Sequence, residues 1–183
     1  MKELVILLEE PSAKEMLTSL IPRIDSSIQF RCIPFQGKQD LEKNITRKLK
    51  LYQNKEASFL IIRDQDSADC HTVKDKLIKL CQASGRTSYK VRILCHELET
   101  VYLADLYAVE QGLNLHSLSK RQNESHFRNP DNFPNPKQKL KEITHNNYQD
   151  IAGSKSISPF LDISNTRSSS FKNLLDAIKQ LSA

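Results

Sequence analysis

A change of hydrophobic period, repeated along the chain, constrains what this sequence can fold into more than any other feature. Four short apolar runs, within ELVILL (3–8), SSIQFRCIPF (26–35), SFLII (58–62) and YKVRILC (89–95), are separated by stretches whose apolar residues recur at helical spacing. ELVILL has no polar interruption after Glu3, the signature of a strand covered on both faces, as in a parallel sheet. Behind it, Ala13, Met16, Leu17, Leu20 and Ile21 form a helical stripe that Pro22 is expected to end or bend. DLEKNITRKLKLY (40–52) reads as a charged amphipathic helix, and Val73, Leu77, Leu80 and Cys81 mark the inner stripe of a third. After the last run, Leu98, Val101, Tyr102, Leu106 and Val109 predict one further helix. Strand and helix thus alternate four times, which predicts an α/β domain with a mainly parallel sheet flanked by helices.

The composition changes near Gly112, after which SLSKRQNESHFRNPDNFPNPK (117–137) is polar and rich in Asn, Ser and Pro. Short helices are expected at PKQKLKEITHN (136–146) and at SSSFKNLLDAIKQL (168–181), where Phe171, Leu174, Leu175 and Ile178 line one face. The expected organisation is a core over 1–112 and a basic loop and helical extension over 113–183, packed on the core as a subsidiary layer. At 183 residues the chain suits a single domain. A net charge of +5 permits contact with a polyanion. Cysteines at 32, 70, 81 and 95 contain no Cys-x-x-Cys and suit a reducing compartment. The apolar stretch before Glu9 is too short for a secretory signal, and no later run approaches a membrane span. A cytoplasmic protein with no membrane partner is expected.

In parallel sheets, ligands bind beyond the carboxyl ends of the strands. Acidic pairs fall at three such ends: Glu9 and Glu10, Asp64 and Asp66, and Glu97 and Glu99. Residues two apart in extended chain point to one side, so Asp64 and Asp66 are expected to face one spot. Carboxylates gathered in this way raise one another's pKa unless a cation sits among them, and hard oxygen donors select Mg²⁺ or Mn²⁺. Each pair also has a structural reading. SAKE (Ser12–Glu15) is expected to form a capping box, and Asp66 or Ser67 to cap the third helix. Glu97 and Glu99 suit a first helical turn, where they point in different directions, so at most one of them is expected to reach a metal. Cys70-His71 and Cys95-His96 lack zinc-finger spacing and read as buried cysteines beside incidental histidines. A phosphorelay receiver needs a lysine after a fifth strand, and no such strand is visible.

This order of parts resembles the Toprim fold, whose pattern is a Glu after the first strand and an Asp-x-Asp after the third, binding Mg²⁺ for phosphodiester chemistry. Glu9 looks like that glutamate, and Asp64 and Asp66 like the aspartate pair. EEPSAKEML (9–17), RDQDSADC (63–70), HELETVYLADLYAVE (96–110), NPDNFPNPKQKL (129–140) and NTRSSSF (165–171) together resemble the Toprim-related domain-of-unknown-function family 4276. That family is distantly similar to the nuclease domain of overcoming-lysogenization-defect proteins.

The resemblance implies a Toprim-like Rossmannoid fold and a Mg²⁺- or Mn²⁺-dependent nuclease acting on DNA or RNA. It implies Glu9, Asp64 and Asp66 as catalytic residues, and these with Glu97 or Glu99 as metal ligands. An ABC-type ATPase partner and a role in anti-phage defence or genome maintenance are implied in the same way. Two departures stand out: Glu10 replaces the usual glycine, and Ala13 replaces the second acid of the Toprim phrase. Phosphate contacts are expected from Lys120, Arg121, Arg128, Lys137 and Lys139. Arg167 adds a further one where NTRSSSF opens a helix, unless a serine cap fills that end. The competing reading is a non-catalytic Toprim-like module that binds and regulates an ATPase partner.

Overall fold

A computed structural model describes residues 2–183. The four apolar runs become strands β1 (Leu4–Leu8), β2 (Phe30–Pro34), β3 (Ser58–Asp64) and β4 (Tyr89–Leu94). They form one sheet in the order β2-β1-β3-β4, with every pair parallel. The crossovers are the helices α1 (Pro11–Ile24), α2 (Lys38–Leu51) and α3 (Cys70–Gln82), as parallel pairing requires.

The period-2 pleat divides the strand residues between two cores. Val5, Leu7, Phe59, Ile61, Val91 and Ile93 pack against Leu41, Ile45 and Leu49 of α2 and Val73, Leu77 and Cys81 of α3. Leu4, Ile6, Leu8, Leu60, Ile62 and Leu94 face the other way, onto Met16, Leu17, Leu20 and Ile21 of α1. That second core is completed by the rest of the chain: α4 (Glu99–Leu103), α5 (Leu106–Gly112), α6 (Pro136–Ile143), α7 (Asp150–Ile157) and α8 (Ser169–Ser182). Phe171, Leu174, Leu175 and Ile178 of α8 lie in the same apolar cluster as Leu60, Ile62 and Leu94. The segment after Gly112 therefore shares a continuous core with the sheet. Among the described residues no helix is long and apolar enough to cross a membrane.

The local expectations are corrected at several points. The single helix expected over 98–109 is two, because Asp105 interrupts it. Its Oδ1 accepts from Ala108 N (3.1 Å), capping α5, and its Oδ2 from Asp162 N (2.8 Å). SAKE is not a capping box: Pro11 is already the first helical residue of α1 and Glu10 its N-cap, so Ser12 lies inside the helix. Asp69, not Asp66 or Ser67, caps α3, accepting from Thr72 N at 2.8 Å. Pro22 sits in the last turn of α1, which stops at Ile24. Helix α7, in a stretch without apolar period, was not expected.

Candidate metal centre at the strand ends

The connection from β1 leads outward to β2, whereas β3 and β4 continue on the other side. The switch point therefore lies between β1 and β3. Glu9 leaves β1 there and Asp64 closes β3, and the two are joined directly: Glu9 Oε2 accepts from Asp64 N at 3.1 Å. The loops on either side are pinned by further backbone bonds. Gly37 N donates to Glu9 O (2.9 Å), Gln65 N to Leu94 O (3.0 Å) and Asp66 N to His96 O (2.7 Å). Asp66 and His96 both adopt left-handed backbone, φ 56° and 58°, a conformation that non-glycine residues hold only when neighbours enforce it.

That left-handed turn overturns the expectation that Asp64 and Asp66 face one spot, because the extended alternation stops at Asp64. Asp66 swings to the α2–α3 side, where Lys38 Nζ lies 2.8 Å from its Oδ2 and Arg63 Nη2 4.0 Å away. Arg63, almost fully buried, also reaches Glu42 Oε1 (3.0 Å) and comes within 3.8 Å of Glu9 Oε2. Glu9 and Asp66 thus sit in a network whose cations belong to the protein. Burial raises the pKa of Glu9 first, with Asp66 and Glu10 adding repulsion; the Asp64 amide and Arg63 oppose this.

Asp64 turns the other way. Its Oδ2 accepts from Leu98 N (3.2 Å), and its pKa is raised well above the usual carboxylate range by burial and then by the charges of Glu10, Glu9 and Glu99. Glu10, the residue in the place of the usual glycine, is held by the Ser12 hydroxyl. Glu99 is 1% exposed. Its Oε1 accepts from the Tyr148 hydroxyl at 2.9 Å and lies 3.8 Å from Lys137 Nζ, while its Oε2 is buried without a partner. Burial pushes its pKa up to about 7 against the pull of Lys137 and Tyr148. Glu97 points elsewhere: its Oε2 accepts from Lys137 N (2.8 Å) at the N-terminus of α6.

Of the expected phosphate contacts, Lys137 alone meets these carboxylates, and its Nζ also lies 2.9 Å from Asp150 Oδ2. Lys120 and Arg128 are exposed. Arg121 is paired with Glu124 at 3.0 Å and lies over the Phe127 ring, and Lys139 is paired with Glu142 at 2.9 Å. Arg167 is exposed beside the start of α8, but the amides there are already taken. Ser168 Oγ accepts from Phe171 N (3.2 Å) and Asp131 Oδ2 from Ser169 N (2.7 Å), so the serine cap prevails over an open anion site.

Among the described residues, no three His, Cys, Asp or Glu side chains are grouped as they stand to enclose a metal ion. The donor chemistry nevertheless fits a hard divalent cation. Glu9, Glu10, Asp64 and Glu99 supply only carboxylate oxygen, the charges of the other three raise the pKa of Asp64, and Glu99 Oε2 is buried without a partner. Sequence reasoning placed Glu10 in an acidic pair at the end of the first strand but gave it no ligand role, and did not single out Arg63 or Tyr148. An arginine inside the apolar run FLIIRD was a signal for Arg63; nothing in the periodicity marks Tyr148.

An all-parallel sheet of this order, with acids at the ends of its central strands and helices on both faces, is a doubly wound α/β fold. The chain belongs to the family described as Domain of unknown function (DUF4276), whose model matches residues 8–179. Its structure is similar to the C-terminal region of the Burkholderia pseudomallei OLD protein, with a TM-score of 0.58 and 11% sequence identity. That likeness covers 98% of each chain and is one of fold. No curated protein matches the sequence.

Proposed function

We propose that the protein is a divalent-metal-dependent nuclease hydrolysing phosphodiesters of DNA or RNA, acting with an ABC-type ATPase in anti-phage defence or genome maintenance. The observation that carries this reading is the buried Glu99 carboxylate, with one oxygen unpartnered, in electrostatic contact with Asp64 at the switch point of the sheet. Asp64, Glu99, Glu9 and Glu10 would hold Mg²⁺ or Mn²⁺, with Asp66 at the margin. The ion would supply charge neutralisation at the phosphate and a water of lowered pKa. The chain's own residues do the remainder. The backbone amide of Asp64 fixes Glu9, the amide of Leu98 fixes Asp64, and Lys137 places a cation beside the acids where an incoming phosphate adds negative charge. Lys120, Arg128 and Arg167 are exposed and would be available for phosphate contacts, whereas Arg121 and Lys139 would first have to leave Glu124 and Glu142.

The test is cleavage of plasmid, single-stranded DNA and RNA in Mg²⁺ or Mn²⁺ by the parent and by Asp64→Ala. Cleavage by the parent that the variant has lost supports the assignment, and cleavage untouched by the substitution overturns it. A second reading, a non-catalytic module regulating an ATPase, draws on one observation: Glu9 and Asp66 are already neutralised by Arg63 and Lys38. Inactivity of the parent on all three substrates, with or without the ATPase, favours that module.

A further inference from the structure

The hydroxyl of Tyr148 takes one oxygen of Glu99 at 2.9 Å and leaves the other, buried, without a partner. A carboxylate has about four lone-pair directions, so a single bond on one oxygen fixes the plane and tilt of the group and leaves the second oxygen to an outside ligand. Tyr148 is itself closely packed. It is fully buried, and its ring centroid lies 5.9 Å from that of Tyr102. Its amide donates to Thr144 Oγ1 at 3.3 Å, at the end of α6. Gly153 of α7 presses on the ring so closely that a Cβ there would stand 2.4 Å from Cδ2. The segment after Gly112 therefore builds a closely packed socket for one tyrosine, whose hydroxyl donates to an acid that follows β4.

We propose that Tyr148 is a positioning residue that orients Glu99 as a ligand for the divalent cation. The proposal rests on the metal-centre reading above. A tyrosine that merely satisfied a buried acid would contribute to stability and leave metal affinity unchanged. A tyrosine that orients a ligand sets affinity, and loss of such outer partners weakens metal binding by about 10- to 100-fold.

Calorimetric titration of Mn²⁺ into the full chain separates these cases. Tyr148→Phe keeps the ring and its packing, and Mn²⁺ affinity is expected to fall at least about tenfold. Tyr52→Phe removes another tyrosine–carboxylate bond, to Glu3 Oε1 at 3.0 Å, and is expected to leave affinity unchanged. In a Glu99→Gln background, which has lost the ligand, adding Tyr148→Phe should cause no further loss, since the two groups act as one unit. Circular dichroism of each variant confirms the fold. Equal Mn²⁺ affinity for the parent and Tyr148→Phe, or an undiminished effect of Tyr148→Phe in the Glu99→Gln background, overturns this proposal and leaves the metal centre standing. A parent that binds no Mn²⁺ overturns the metal centre and this proposal with it.

Discussion

Glu99 is the residue at which burial and charge conflict most directly, since it is 1% exposed and one of its oxygens has no partner. With its pKa raised from 4.5 to about 7, the folded protein holds a proton that the unfolded chain has already released. The unfolded state binds fewer protons in that window, so stability falls as pH rises from about 4.5 to about 7 and levels off above it. The expected loss for the metal-free protein is roughly 3 kcal/mol. Urea midpoints between pH 4.5 and 8 should show this slope, and Glu99→Gln should flatten it. A second contrast separates two nearby aspartates. Asp69→Ala removes the cap of α3 and should cost about 1 kcal/mol in chemical denaturation with cleavage unchanged. Asp64→Ala should remove cleavage and, by relieving repulsion from Glu9, Glu10 and Glu99, leave stability at pH 8 equal or higher. The residue types of the centre were legible in the text, as acids at strand ends. The divergence of Asp66 from Asp64 was not, because a left-handed backbone at Asp66 depends on a bond to His96 from a distant strand end.

At the scale of elements, all four strands and helices α1, α2, α3, α6 and α8 follow from local pattern. They are the segments whose apolar period is unbroken. The split between α4 and α5 and the whole of α7 escaped, since a buried cap at Asp105 and packing against α1 and α5 decide them. One contact exposes that packing to measurement. A Cβ on Gly112 would lie 2.5 Å from Ile157 Cα and 2.6 Å from Ser156 O, both backbone atoms of α7. Gly112→Ala must therefore push α5 and α7 apart. We expect a loss of about 1–3 kcal/mol in thermal or urea unfolding, despite the better helix propensity of alanine.

For the whole molecule, the decisive fact is that residues beyond Gly112 cover the same apolar cluster that the sheet presents through Leu60, Ile62 and Leu94. A chain ended at Gly112 would expose that face and lose Tyr148 and Lys137 together. Such a fragment is expected to show no cooperative thermal transition by circular dichroism and to aggregate on size-exclusion chromatography, whereas the full chain unfolds in one step. By itself the sequence determined the α/β class, the parallel sheet and the rim on which acids gather, because burial on two faces and period-2 against period-3.6 patterning act within a few residues. Only the tertiary structure decided which acids share a face, which oxygen stays unpartnered, and that a tyrosine from the last third of the chain bonds to an acid that follows β4. Those outcomes depend on contacts between segments tens of residues apart, where no local energy favours one arrangement until the core has closed.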